Sequence, residues 1–204
     1  MLQNKLTLMF HEVDESIFDI DLEKYILTFD DGLYTQYKLI DRLCELDTIK
    51  IFFISSNIIC DENVKQSEEY ITCHEAHQLH FRHGINFNYM KWSDVKDIDQ
   101  RDQCYVGCHS HYHRHYQDRI PIKDYINDTK LMIQEFNKQL GYIPTKFCFP
   151  YNFNCCGYKE YLQAKGFTDF YADERLCGMD ELTRFRLKMD RLELEDERWV
   201  KLNN

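Results

Sequence analysis

Thr28-Phe29-Asp30-Asp31-Gly32 follows a short apolar run, Tyr25-Ile26-Leu27, and precedes a segment with helical periodicity. Two adjacent carboxylates at the end of a buried strand are costly to desolvate unless a cation or a reaction holds them there. Strand side chains alternate faces, so the two acids point different ways. One can bind a metal while its neighbour handles a proton. A pair of Asp in an exposed loop would simply be solvated; what sets this pair apart is a histidine cluster far downstream.

Working outward, Leu6-Thr7-Leu8-Met9-Phe10 reads as a first strand ending at His11, and residues 25–29 as a second. Residues 14–24 are acidic and mixed, a loop. Over 33–46, Leu33, Tyr37, Ile40, Leu43 and Cys44 recur at helical spacing. Residues 49–54 are β-branched and aromatic, a buried third strand. Residues 60–89 interrupt the alternation and read as an insertion, expected to cover one side of a site as a lid or substrate wall. Within it His74, His77, His80 and His83 recur every third residue. Strict threes drift around a helix, so the four do not make a metal site and the helix reads as solvated.

A helix follows at 92–98 with Ser93 as N-cap, then a fourth strand at 104–108 and the run His109-Ser110-His111-Tyr112-His113-Arg114-His115. The clearest helix spans 122–140, with a stripe of Tyr125, Ile126, Thr129, Met132, Ile133, Phe136 and Leu140 and a terminating Gly141. A fifth strand at 145–149 stops at Pro150. A short helix at 157–165 precedes strands at 167–172 and 185–194. Repeated strand–helix–strand units signal a parallel α/β fold, whose ligands gather at the carboxyl ends of strands. His11, Asp30-Asp31, the histidine run and Pro150-Tyr151 all fall there.

The chain of 204 residues is 44% hydrophobic and 15% aromatic with 3 Pro and 7 Gly, which predicts one globular domain over 1–204. A net charge of −10 argues against nucleic acid or an anionic membrane as partner. No apolar run approaches the length of a membrane span, and no secretory h-region is present, so a cytoplasmic protein is expected. Nine Cys lack any CxxC pair, with Cys155-Cys156 adjacent; they read as reduced, mostly buried thiols rather than a disulfide framework or zinc knuckle.

His109 and His113, spaced i, i+4, share one side if the chain turns helically after the fourth strand. With Asp31 they make a two-His, one-carboxylate set that leaves positions open for water and substrate. His111 with His115 offers a second register that spacing alone does not exclude.

Thr28 to Gly32 as TFDDG, followed by HSxxH at 109–113, resembles the first two motifs of the polysaccharide deacetylase (NodB-homology) family of carbohydrate esterases. Met9-Phe10-His11 resembles the Met-Tyr-His found early in many members, Ile51-Phe52-Phe53 a TFF-type strand, and Phe147-Cys148-Phe149-Pro150-Tyr151-Asn152 an F-x-Y-P-Y-G third motif. The resemblance implies an α/β fold, a deformed (β/α) barrel of about seven strands. It also implies metal-dependent removal of an N-acetyl group from a sugar. By motif, Asp31, His109 and His113 would hold the metal, Asp30 would be the general base, Ser110 would brace the loop, and the Tyr151 backbone N–H would help form an oxyanion hole. Zn²⁺ suits such a site, with Co²⁺, Ni²⁺ or Mn²⁺ as alternatives.

Two departures stand out. Members usually draw their general acid from a Leu-x-His near the C-terminus, and this chain has no His after His115. His11 is the substitute, as in the poly-N-acetylglucosamine deacetylase branch, whose acid comes from an N-terminal Tyr-His motif as though the fold were circularly permuted. Many members also carry an Arg in the third motif to orient the base, where this chain has Cys148; Arg186 and Arg191 are candidates, though both read more readily as solvated. Expected substrates are N-acylated sugars, whether polymeric, lipid-linked or nucleotide-linked, in a surface-polysaccharide pathway. The competing expectation is a non-catalytic carbohydrate-binding relic of the same fold.

Overall fold

The computed structural model describes residues 5–114, 120–153, 157–173, 182–188 and 193–194. Its strands are β1 Thr7–Phe10, β2 Ile26–Phe29, β3 Lys50–Ile54, β4 Cys104–Cys108, β5 Lys146–Cys148, β6 Asp169–Asp173, β7 Leu182–Lys188 and β8 Glu193–Leu194. From β1 to β7 each strand pairs in parallel with the next, in chain order. β7 returns to β1 in parallel through Leu8↔Phe185 and Met9↔Arg186, which closes the ring. β8 adds an antiparallel extension on β7. The expected deformed barrel of about seven strands is what the chain forms.

The two-residue period of a strand sorts side chains between two environments. Leu8, Phe10, Leu27, Phe29, Phe52, Ile54, Val106, Cys108, Phe147, Phe170 and Ala172 join one large cluster with residues of the surrounding helices. The alternate positions Ile51, Phe53, Cys148 and Tyr171 form a separate small cluster inside the ring. Phe53 fills so much of this interior that β4 must be bare beside it. A Cβ at Gly107 would lie 2.5 Å from two Phe53 ring atoms. Gly107→Ala is therefore expected to destabilise the fold by about 1–3 kcal/mol through overpacking, read as a lower denaturant midpoint at unchanged slope. An unchanged midpoint would show that Phe53 can yield.

The helices are α1 Tyr34–Lys38, α2 Ile40–Cys44, α3 Cys73–His83, α4 Trp92–Asp99, α5 Ile122–Leu140 and α6 Tyr158–Ala164. The expected helix at 33–46 is broken at Leu39, whose ψ of 6° ends α1 and starts α2. The expected loop at 14–24 contains two 3₁₀ turns, Glu15–Asp19 and Leu22–Lys24. Ser93 is not the N-cap of α4. Asp94 instead accepts the Lys91 backbone N–H at 2.9 Å, and Ser93 donates its own N–H to Glu62, so the N-cap is Lys91, two residues earlier. α5 ends at Gly141 in the left-handed conformation, as its sequence predicts. No described helix is long and apolar enough to cross a membrane.

Of the cysteines, Cys60, Cys73, Cys104, Cys108 and Cys148 are buried free thiols and Cys44 is half-buried and free. Cys155, Cys156 and Cys177 lie outside the described residues. Cys73 and Cys148 are more than filler, because both border the acidic pair.

Candidate active site

The inward register of each strand, extended one residue past its carboxyl end, delivers His11 after Met9, Asp30 after Thr28 and His109 after Gly107. Asp30 and Asp31 are 2% and 1% exposed and hold different partners, separated by a left-handed turn at Asp31 rather than by the strand alternation expected.

Asp30 faces Arg184 on β7. The guanidinium donates to both carboxylate oxygens, at 2.6 and 2.8 Å, and also to Thr28 Oγ1 at 3.2 Å. Its second nitrogen passes 2.9 Å from Cys148 Sγ, which itself lies 3.5 Å from Asp30 Oδ2. Arg184 is 1% exposed, among the most buried large side chains in the molecule. Burial pushes the Asp30 carboxyl up, but the Arg184 charge and hydrogen bonds override it, so the group sits below the usual carboxylate range and is ionised at neutral pH. Arg184, which sequence reading missed, steadies Asp30; Arg186, the candidate on the same strand, instead lies near enough to His11 to act on its charge. Arg191 lies outside the described residues. Expecting the last strand to begin at 185 hid Arg184, although it shares a face with Arg186 at i, i+2.

Asp31 takes a left-handed φ of +71°, followed by Gly32 at +71°. Asp tolerates this backbone better than most residues, and it turns the second carboxylate out of the strand register. Asp31 Oδ1 then lies 3.2 Å from His109 Nε2 and 2.9 Å from His113 Nε2, with the two imidazole nitrogens 3.2 Å apart. His109 Nδ1 lies 2.9 Å from the Cys148 carbonyl, a contact that requires Nδ1–H and leaves Nε2 as a lone-pair donor. Asp31 Oδ1 is buried without a hydrogen bond of acceptable geometry. Two imidazoles and a carboxylate oxygen at these separations fit a cation about 2.0–2.2 Å from each. The donor set suits a divalent metal.

The loop bearing His109 and His113 is held on several sides. The His113 N–H donates to Ser110 Oγ at 3.0 Å, the bracing role expected of Ser110. Asp128 on α5 accepts the backbone N–H groups of His111 and Tyr112 at 2.7 and 2.9 Å. Ser55 and Ser56, after β3, bond the His109 carbonyl and His111 Nδ1. His111 is thus engaged elsewhere, and His109 and His113 are the pair that lies against Asp31; His115 lies outside the described residues.

His11 Nε2 is 3.8 Å from Asp31 Oδ2. Burial and then the Arg186 charge lower its pKa against the pull of Asp31 and Asp30, so its proton, once acquired, is readily given up. Gln36 on α1 clamps this corner by donating to the carbonyls of both His11 and Asp30, at 2.6 and 2.7 Å. Tyr151, with φ of +52°, sets its ring 4.7 Å from that of His113.

The segment at 60–89 is not a solvated appendage. Its helix α3 points His77 at the acidic pair, with Nε2 3.7 Å from Asp31 Oδ2, and places the Cys73 thiol 3.0 Å from the same oxygen. Burial drives His77 down to about 3, so its imidazole is neutral. His74 and His83 do face solvent. The misreading came from following only histidines: Cys73, Ala76, His77 and His80 recur at i, i+3, i+4, i+7, the stripe that faces inward.

The family model for polysaccharide deacetylases matches residues 21–168. Among solved structures, IcaB from Ammonifex degensii is 16% identical, with 93% of this chain and 95% of that one covered and a TM-score of 0.65. A de-N-acetylase from Aggregatibacter actinomycetemcomitans is 14% identical over 88% and 93%, with a TM-score of 0.60. The BpsB deacetylase domain from Bordetella bronchiseptica is 14% identical over 89% and 94%, with a TM-score of 0.58. At such identities the likeness is one of fold. No curated protein sequence matches the chain.

Proposed function

Because the chain belongs to the polysaccharide deacetylase family, we propose that it hydrolyses the N-acetyl amide of an amino sugar, with a divalent metal, Zn²⁺ by preference, held by Asp31, His109 and His113. The observation that carries this reading is the convergence of one carboxylate oxygen and two imidazole nitrogens within 3.2 Å of one another beside a second, separately held carboxylate.

A cation held by Asp31, His109 and His113 would supply polarisation of the amide carbonyl and a more acidic water. Asp30, ionised and locked by Arg184, takes the proton of the attacking water. Tyr151, packed on His113, presents its backbone N–H to the oxygen on which negative charge develops. His11 protonates the departing amine, which leaves poorly as an anion. Two observations support catalysis over a relic: His11 lies 3.8 Å from Asp31, and Arg184 lies beside Cys148 and bonds Asp30. The substrate we assign is a glycan precursor or short oligomer.

The test pairs metal content with deacetylation of N-acetylhexosamine oligomers and nucleotide-linked sugars. Asp31→Ala should lose the metal and all turnover. Metal bound by wild type without turnover on any amide would favour the relic. His11→Ala should keep its metal and lose about 10²–10⁴ in kcat, the span of a general acid; an unchanged rate removes His11 from the chemistry.

A further inference from the structure

The metal reading above leaves His77 without a task, and its surroundings supply one. We propose that His77 is a fourth protein ligand of the cation held by Asp31, His109 and His113, contributed by the helix of the 60–89 segment. The ligand atoms of Asp31, His77 and His113 all lie within 4.8 Å of one another. The His77 and His113 rings approach to 4.8 Å between centroids.

His77 Nε2, the atom aimed at this cluster, is buried with no hydrogen bond. A buried polar nitrogen left unpaired costs about 1–3 kcal/mol, and packing gives no reason to bear it. Phe81 and Tyr89 line the ring at 5.5 and 6.3 Å and would pack a phenyl group equally well. The nitrogen is what the position retains. His74 is exposed and bonds Gln78; His80 also packs on Phe81 and Tyr89 and also leaves a buried ring nitrogen, Nδ1, unbonded, but among the described residues it is His77 that lies 3.7 Å from Asp31 and groups with His113.

The helix is also fixed where a ligand-bearing element must be. Thr72 and Glu75 form a reciprocal capping box at its start, and Gly84 closes its end in the left-handed conformation. The Cys73 N–H donates to Glu12 beside His11, at 3.1 Å, and the Cys73 thiol bonds Asp31 itself. Four protein ligands, three of them imidazole, complete a tetrahedral zinc shell, which can expand to five-coordinate when water or substrate joins. The third imidazole adds no charge, so it tightens the hold on the ion without altering the electrostatic balance around Asp30.

Competition titration of zinc against a chromophoric chelator, together with X-ray absorption of the zinc-loaded protein, tests this. Wild type should show three coordinated imidazoles. His77→Gln should show two and bind zinc more than about 100-fold more weakly, beyond the 10–100-fold typical of an outer-sphere partner. His74→Ala, on the solvent face of the same helix, should match wild type. A wild-type count of two imidazoles overturns the assignment whether or not the His77 variant folds, and so does His77→Gln binding zinc as wild type does. If those failures come with zinc still lost in Asp31→Ala, the three-ligand reading stands. Zinc retained by Asp31→Ala defeats both.

Discussion

Asp30→Asn is expected to retain the bound metal and lose about 10²–10⁴ in kcat, the usual worth of a positioned general base. The substitution keeps the shape of the side chain, and its amide oxygen can still accept from Arg184. What it removes is the acceptor for the proton of the attacking water. Asp31 cannot deputise, since its Oδ1 faces His109 and His113 and its Oδ2 faces His11, His77 and Cys73. The measurement is kcat on a soluble N-acetylated oligomer with metal content determined on the same sample. Full metal with full activity would show that the two carboxylates do not divide the labour as their geometry indicates.

The second large effect is expected at Arg184. Removing one partner of a buried ion pair leaves the other charge uncompensated, typically about 3–5 kcal/mol. Arg184→Met should lower stability by that order in denaturant unfolding at pH 7. Its pH dependence follows from Asp30, whose folded pKa lies below the unfolded value of about 3.9. The stabilisation is therefore present above the unfolded value and is lost as pH falls through the folded one. Without Arg184, the burial that raises the Asp30 pKa is opposed by the charges of His109 and His11 but no longer by the guanidinium, so the acidic limb of the rate profile should move toward neutral pH. Arg184→Lys should recover part of the stability and little of the rate, because a point charge does not hold both carboxylate oxygens. A second removal, Asp30→Asn in the Arg184→Met background, should cost much less than in wild type, since the two residues act as one unit. Equal costs in both backgrounds would mean that the pair is not coupled.

The parallel strands were legible because each short apolar run is bounded by turn residues, and the acidic pair, His109, His113 and His11 because each closely follows a strand end. Three things escaped. Arg184 lies on a strand whose start the residue pattern places three positions too late, and an isolated Arg carries no mark of burial. Its partnership with Asp30 arises only when the ring closes. His77 was lost because period-three histidines distract from the apolar and thiol residues that share its face. The space beside Cys148 is a property of packing: a small side chain there matters because a long one arrives from β7 to fill it.

Arg184 and Asp30 are separated by 154 residues, and the strand that carries Arg184 is the one that joins β1 to complete the ring. Contacts of such long range must overcome loop-closure entropy before they reward the chain, and they slow folding. During synthesis the acidic pair, the paired imidazoles and α3 all emerge well before β7. A partly folded chain can therefore bring Asp31, His109 and His113 together while Asp30 still lacks the guanidinium that lowers its pKa. On the proposed mechanism, topological completion and the switching-on of hydrolysis would then be one event.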